Sequence, residues 1–152
     1  MILKSNIYCL LGIGGAGMSS IGKYLKLKGN KVYGYDRDKT HMTKSLEKIG
    51  VKILYDDSNY LNYKNLKCSK TLIIYSSAIP KSNKMLKFYI KNGNIIKKRA
   101  VFLSEICKGF STIAIAGTHG KTTTSAILSH MFISDNKKIT AFIGGVLKNY
   151  ES

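Results

Sequence analysis

Two glycine-bearing segments of the chain carry the residue types that bind phosphate groups. The segment nearer the C-terminus reads Gly117-Thr118-His119-Gly120-Lys121-Thr122-Thr123 and lies between an apolar run and an amphipathic run. In a phosphate-binding loop, backbone N–H groups cradle the phosphates, the lysine reaches the outer ones, and the next hydroxyl ligates Mg²⁺. The segment therefore predicts an ATP site, with Lys121 reaching the outer phosphates and the Thr122 hydroxyl ligating Mg²⁺. It is a shorter variant of the usual G-x-x-x-x-G-K-[ST] loop, because its leading glycine is Gly117.

The other segment reads Gly12-Ile13-Gly14-Gly15-Ala16-Gly17, a G-x-G-x-x-G pattern between a predicted strand and a predicted helix. Its glycines permit a tight turn and close approach of a diphosphate, and the helix N-terminus offers N–H groups to an anion. Asp36 closes the next strand, where a carboxylate can accept hydrogen bonds from ribose hydroxyls. A nucleotide diphosphate site is predicted, and the loop alone leaves open whether the ligand is NAD or another nucleotide diphosphate.

Three further candidates have alternative explanations. Ser76 and Ser77 follow a predicted strand at its carboxyl end, where open α/β sheets bind ligands, but they could equally begin a turn before Pro80. His119 has no visible catalytic partner and is expected to contact phosphate or to pack. The pair Asp56-Asp57 looks like a metal site, but its position after a strand favours a turn or a helix cap.

A parallel sheet is needed to position these segments. Short apolar runs predict strands at 7–11, 32–35, 51–54 and 71–75 and a fifth that starts at 95. Amphipathic runs predict helices at about 16–28, 40–48 and 100–108, and another that Ser82 caps and that ends near 91. Glycines 29, 50 and 93 end three helices, and Gly29 is expected to have a positive φ. The alternation predicts an α/β fold, a Rossmann-like parallel sheet with flanking helices.

The pattern starts again near Gly109. A strand at 112–116, the second glycine loop, a helix at 121–134 and a strand at 139–143 are the first βαβ unit of a P-loop ATP-binding domain. Two domains are therefore predicted, a nucleotide-substrate domain at 1–108 and an incomplete ATP domain at 109–152. One βαβ unit cannot bury both faces of a parallel sheet. We therefore expect the chain to be an N-terminal portion of a longer protein or a natural remnant of one.

Charge and composition narrow the class of protein. The formal charge is +17, yet only two of the 25 basic residues are arginines, Arg37 and Arg99, and the lysines are scattered. Dedicated nucleic-acid binding, which favours clustered arginine and exposed aromatic residues, is the weaker alternative. Cys9, Cys68 and Cys107 form no C-x-x-C pair, so buried reduced thiols are expected. The sequence has no apolar stretch of membrane-spanning length, and residues 1–6 lack the features of a signal peptide, which predicts a cytoplasmic protein.

With both loops placed, the chain resembles the Mur ligases of peptidoglycan synthesis along essentially its whole length. The motifs that carry the resemblance are the first loop continued through Met18-Ser19, Ser76-Ser77-Ala78-Ile79, Ala116 to Thr124, and Phe142-Ile143-Gly144-Gly145. The resemblance implies ATP-dependent ligation of L-alanine to UDP-N-acetylmuramate, a step of cell-wall biogenesis. It also implies that the first domain binds the UDP moiety rather than NAD. The implied contacts to the UDP substrate are Gly12, Gly14, Gly15, Ala16, Gly17, Met18, Asp36, Ser76, Ser77, Ala78 and Arg99.

The chain departs from the family pattern in two places. Members often carry Arg-Ala-Glu-Met-Leu after the fifth strand, whereas this chain reads Arg99-Ala100-Val101-Phe102-Leu103, so Arg99 is kept while its surroundings differ. The chain also stops before the acidic Mg²⁺ ligand of the central domain and before the domain that receives the amino acid. The isolated chain is therefore expected to have no ligase activity. A Rossmann-type dinucleotide-binding regulatory module is the alternative function.

Overall fold

The computed structural model describes residues 7–58 and 71–145. Cys68 and the N-terminal residues 1–6, both used above, lie outside the described residues. The chain divides into two compact units, Met1–Ser111 and Thr112–Ser152. Among the described residues, no helix is both long enough and apolar enough to cross a membrane.

The first unit is built on a five-stranded sheet in which every pair of neighbouring strands is parallel. Its strand order is β3-β2-β1-β4-β5, with β1 in the centre. The strands are β1 Ile7–Leu11, β2 Lys31–Tyr35, β3 Lys52–Leu54, β4 Thr71–Tyr75 and β5 Ile95–Lys98. The predicted Rossmann-like parallel sheet is confirmed, with β3 starting one residue later than expected.

In the described parts of this unit, residues 7–58 and 71–111, four helices flank the strands: α1 Ala16–Leu27, α2 His41–Lys48, α3 Lys84–Lys91 and α4 Arg99–Cys107. Glycines 29, 50 and 93 follow three of them with φ values of +81°, +82° and +69°, which confirms the positive φ expected at Gly29. The predicted cap of α3 is wrong. Asn83, not Ser82, is the N-cap, because its side-chain oxygen accepts the N–H of Leu86 at 2.9 Å.

The central strands are buried on both faces of the sheet. On one face Cys9, Leu11 and Ile73 pack against Met85, Leu86 and Tyr89 from α3. On the other face the ring of Tyr8 lies 5.9 Å from that of Phe102 of α4. Burial raises the pKa of the Cys9 thiol to about 12, so this cysteine is a buried, protonated core residue as expected.

The first glycine loop depends on space that β2 leaves for it. A methyl group built on Gly34 would lie 2.6 Å from Cδ1 and 2.8 Å from Cγ2 of Ile13, whose side chain is fully buried. We expect the Gly34→Ala substitution to lower the free energy of unfolding by about 1–3 kcal/mol, because Ile13 can move only by disturbing the core. The midpoint and slope of urea denaturation measure this loss.

Gly22→Ala is the matched control, because Gly22 faces the same Ile13 from α1. Its added methyl would lie 3.4 Å from Cδ1 of Ile13, and alanine favours a helix interior by about 1 kcal/mol over glycine. This variant should be at least as stable as the original chain. Equal stability of Gly34→Ala and the original chain would contradict the proposed steric role of Gly34.

Between residues 112 and 145, the described part of the second unit, one helix is formed, α5 at Lys121–Ser134, as predicted. The two strands expected on either side of it, at 112–116 and 139–143, are not formed: neither segment pairs with another strand within the described residues. A parallel strand exists only if a neighbouring strand accepts and donates its hydrogen bonds. Apolar side chains of this unit consequently remain exposed, including those of Ile113, Ile127 and Met131.

Candidate functional site

The first loop, residues 12–17, joins β1 to α1 at the carboxyl end of the central strand. The N–H groups of Gly12 and Ile13 both donate to the carbonyl of Tyr35, at 2.7 and 3.0 Å. Gly12 has a φ of +83°, and a methyl group on it would lie 3.0 Å from Cβ of Ser76. The loop is therefore fixed between the ends of β2 and β4, where the crossover direction of the sheet reverses and open α/β sheets bind ligands.

Asp36 braces this loop. One carboxylate oxygen of Asp36 accepts the N–H of Gly14 at 2.6 Å, and the other accepts the N–H of Asp38 at 3.2 Å. A methyl group on Gly14 would lie 2.8 Å from that first oxygen, so the contact requires glycine. The structure thus gives Asp36 a role in holding the loop that the sequence pattern did not indicate, and its contact with a ribose stays a prediction.

Arg99 reaches the same loop from the opposite side. It is the first residue of α4, directly after β5, and a methyl group on Gly17 would lie 2.7 Å from its Nη1. The N-terminal turn of α1 has no side-chain cap and no acidic residue. A guanidinium beside an uncapped helix N-terminus is an arrangement that attracts an anion, because the helix dipole and the cation act in the same direction.

The serine segment forms the facing wall of the loop. The hydroxyl of Ser76 accepts the N–H of Ala78 at 3.3 Å, and its carbonyl accepts the N–H of Ile79 at 3.0 Å, so Ser76 does begin a turn. Ser77 and Ala78 are exposed beside it. Both alternatives considered for Ser76 and Ser77 therefore remain compatible with their position.

Among the predicted contacts, Met18 is placed differently from the others. Its side chain is 2% exposed and belongs to the core, and its N–H donates to the carbonyl of Gly15 at 2.9 Å. Its side chain is therefore not available to a ligand, and a contact of the Met18 backbone with the substrate stays a prediction. Met18 lies on the buried apolar face of α1 together with Ile21 and Leu25, which explains why it packs.

The acidic pair next to β3 is a turn and a helix cap. Asp56 accepts the N–H and the hydroxyl of Ser58, at 2.8 and 2.6 Å, and these hydrogen bonds lower the pKa of the Asp56 carboxyl. Asp57 accepts the N–H of Lys84 at 3.0 Å, at the start of α3. The part of the chain that the structure describes contains no group of three or more metal-ligating side chains. The predicted turn or helix cap at this pair is confirmed.

Burial and the neighbouring carboxylates of Asp57, Asp36 and Asp56 together raise the pKa of Tyr35, which is nearly buried at the end of β2. The phenol therefore stays protonated at neutral pH. Its position between these carboxylates and the first loop was not predicted, since no local pattern marks it.

The second loop begins α5. Gly117 and Gly120 have φ values of +146° and +77°, which side chains rarely adopt, and Gly120 is the N-cap of the helix. The ammonium of Lys121 donates to the carbonyls of Gly117 and Thr118, the latter at 2.9 Å. The backbone of the loop is thus exposed, and the side chain of Lys121 lies over it. The exposed hydroxyls of Thr122 and Thr123 follow at the helix N-terminus, and this donor set fits the phosphates of a nucleotide with Mg²⁺.

All three histidines are surface residues. His119 is exposed within the second loop, and His41 and His130 are exposed on α2 and α5. The expected phosphate or packing contact of His119 stays a prediction.

The fold and the first loop define a class: Rossmann-like α/β proteins whose central strand–loop–helix turn is arranged to receive an anion. The chain belongs to the Mur ligase family, because residues 8–111 match the sequence model described as "Mur ligase family, catalytic domain". The match ends before the second glycine loop.

Two curated relatives align with this chain over nearly its whole length. The chain is 42% identical over 147 residues to the UDP-N-acetylmuramate–L-alanine ligase of Flavobacterium johnsoniae, an alignment of 97% of this chain and 32% of that protein. It is 41% identical over 152 residues to the enzyme of the same name from Parabacteroides distasonis, covering 99% of this chain and 33% of that protein. The chain therefore spans about a third of the length of the curated relatives it matches.

Solved structures agree with this assignment. The UDP-N-acetylmuramate-alanine ligase of Thermotoga maritima superimposes with a TM-score of 0.87 at 29% identity, covering 95% of this chain and 33% of that chain. A UDP-N-acetylmuramate:L-alanyl-γ-D-glutamyl-meso-diaminopimelate ligase from Neisseria meningitides shares the fold, with a TM-score of 0.84 at 23% identity over 96% of this chain and 45% of that one.

Proposed function

We propose that this chain supplies the UDP-substrate site and the ATP loop of a ligase that joins L-alanine to UDP-N-acetylmuramate in the cytoplasm. In the proposed reaction ATP phosphorylates the muramyl carboxylate, and the amine of L-alanine attacks the acyl phosphate and releases inorganic phosphate. The relatives that share about 40% of its residues carry the name of this reaction. Because the chain spans about a third of them, the complete reaction is part of the proposal and binding is the step to test.

The observation that carries the proposal is that the guanidinium of Arg99 lies next to Gly17, at the N-terminus of α1, which has no side-chain cap. A diphosphate placed there would receive hydrogen bonds from the backbone of the loop and from the guanidinium. Asp36 and the Ser76–Ala78 turn would flank the nucleoside on either side. We propose Gly12, Gly14, Gly15, Ala16, Gly17, Asp36, Ser76, Ser77, Ala78 and Arg99 as the substrate contacts.

In the second unit we propose residues 117–123 as the ATP loop. Lys121 would reach the outer phosphates and hold the transferring phosphoryl group in place, which is most of what phosphoryl transfer requires from a protein. Mg²⁺, when bound at Thr122, would neutralise charge that develops on the phosphate oxygens.

Calorimetric titration of the chain with UDP-N-acetylmuramate tests the substrate site, with NADH as the control ligand. We expect saturable one-to-one binding of the UDP-sugar and no heat from NADH. Two salt concentrations should be used, because a chain of charge +17 attracts any polyanion and that attraction weakens with salt. Binding of NADH without binding of the UDP-sugar would contradict the proposal and favour a dinucleotide-binding module.

A further inference from the structure

A pair of glycines lies against the threonine that is proposed to ligate Mg²⁺. A methyl group built on Gly145 would lie 3.2 Å from Cγ2 of Thr122, and one on Gly144 would lie 3.9 Å from its Oγ1. These glycines are more than twenty residues further along the chain, so the contact is made by the fold of the second unit rather than by local geometry.

Backbone conformation does not explain why glycine occupies these two positions. Neither Gly144 nor Gly145 has the positive φ that marks Gly117 and Gly120 in the same unit. Both are exposed, so close packing inside a core does not explain them either. Because neither residue has a side chain, space stays open beside Thr122. This open space is the structural effect of glycine at both positions.

The side chain of a threonine has two branches on one stiff χ1 torsion, so the position of its methyl fixes the position of its hydroxyl. The space that a side chain at position 145 would occupy borders Cγ2 of Thr122, and the space at position 144 borders its hydroxyl. The Cβ of an alanine at position 145 would stand 3.2 Å from Cγ2, which is tighter than nine in ten real contacts of this kind, so Cγ2 would have to shift by a few tenths of an ångström. The hydroxyl would then turn with it.

We propose that Gly145 is a positioning residue: because it has no side chain, Thr122 keeps the rotamer in which its hydroxyl is free to ligate the Mg²⁺ of a bound nucleotide. This rests on the proposed ATP site and adds a residue that the loop motif does not contain. It acts through Thr122 and needs no contact of Gly145 with the nucleotide.

The test measures ATP affinity of the chain by titration, once in EDTA and once in Mg²⁺. The ratio of the two dissociation constants is the gain that Mg²⁺ provides. We expect the Gly145→Ala variant to bind ATP in EDTA as the original chain does and to lose about tenfold in that gain, as is typical when a group that orients a metal ligand is disturbed. Gly144→Ala is the matched control, since its methyl would sit at an ordinary contact distance, and it should keep the gain.

A double variant separates the rotamer from other causes. Thr122→Ser removes Cγ2, the atom that would collide with an alanine at 145, while serine still offers the hydroxyl that phosphate loops use. In Gly145→Ala/Thr122→Ser the Mg²⁺ gain should return toward that of the original chain. Circular dichroism of the single variants checks that helix content is unchanged.

The outcomes are distinguishable. A chain that does not bind ATP even in EDTA would overturn the proposed ATP site and this inference with it. A normal Mg²⁺ gain in Gly145→Ala, an equal loss in Gly144→Ala, loss of ATP binding in EDTA by Gly145→Ala, or failure of the double variant to recover would each overturn the inference and leave the proposed function standing.

Discussion

Replacing Lys121 by alanine is expected to weaken ATP binding by this chain by roughly 10- to 150-fold. Hydrogen bonds that involve a charged partner contribute about 1.5–3 kcal/mol each, and each 1.4 kcal/mol corresponds to about a factor of ten in affinity. The ammonium of Lys121 already lies over the loop, where it donates to the carbonyls of Gly117 and Thr118. A phosphate in the loop would meet that cation directly. Titration with ATP in the presence of Mg²⁺ measures the loss.

Lys137→Ala is the control for this prediction. Lys137 is an exposed lysine of the same unit, paired with Asp135 at 3.5 Å, and its removal lowers the net charge by the same amount. It should leave ATP affinity within about twofold at moderate salt, because exposed charges are screened. Equal losses in the two variants would mean that ATP is attracted by the general positive charge of the chain, and the proposed loop site would be wrong.

The second large effect is expected at Arg99. Arg99→Ala should weaken binding of UDP-N-acetylmuramate by roughly 10- to 100-fold, because the guanidinium beside Gly17 would lose its charged hydrogen bonds to the diphosphate. The Arg99→Lys variant should recover only part of the affinity, since an ammonium cannot form the same forked contact. Calorimetric titration of each variant with the UDP-sugar measures both changes.

Lys98→Ala provides the matched comparison for Arg99. Lys98 is exposed, immediately precedes Arg99 and carries the same charge. Its removal should change affinity by less than about threefold, and thermal unfolding should show that both variants remain folded. If Arg99→Ala binds the UDP-sugar as the original chain does, the diphosphate does not lie at the start of α1 and the proposed substrate site must be moved.

Most of the elements of the first unit could be predicted because their signals are local. Apolar runs and helical periodicity placed five strands and four helices, and Thr71–Tyr75 was predicted to the residue. The glycines that follow α1, α2 and α3 have positive φ values, which cost little free energy in a residue without a side chain. One wrong prediction, the N-cap of α3, concerned two neighbouring polar residues that could both fill that position. Asn83 rather than Ser82 caps α3 because its amide oxygen reaches Leu86.

The second unit shows the limit of local signals. The helix α5 was predicted to the residue, because a helix forms its hydrogen bonds within its own segment. The flanking apolar segments carry the composition of strands, yet they are not strands in this chain. A strand depends on a partner elsewhere, and the sequence pattern of one segment cannot state whether that partner is present.

By itself, the sequence determined the class of fold, the two glycine loops and the residue types at each, because these depend on the order of residues along a few turns of chain. Only the tertiary structure decided which side chains meet. It brought Asp36 to Gly14, Arg99 to Gly17, Asp57 to the start of α3, and Gly145 to Thr122. Each of these pairs joins segments separated by about twenty residues or more, and their distance is set by the packing of whole elements rather than by any spacing in the sequence.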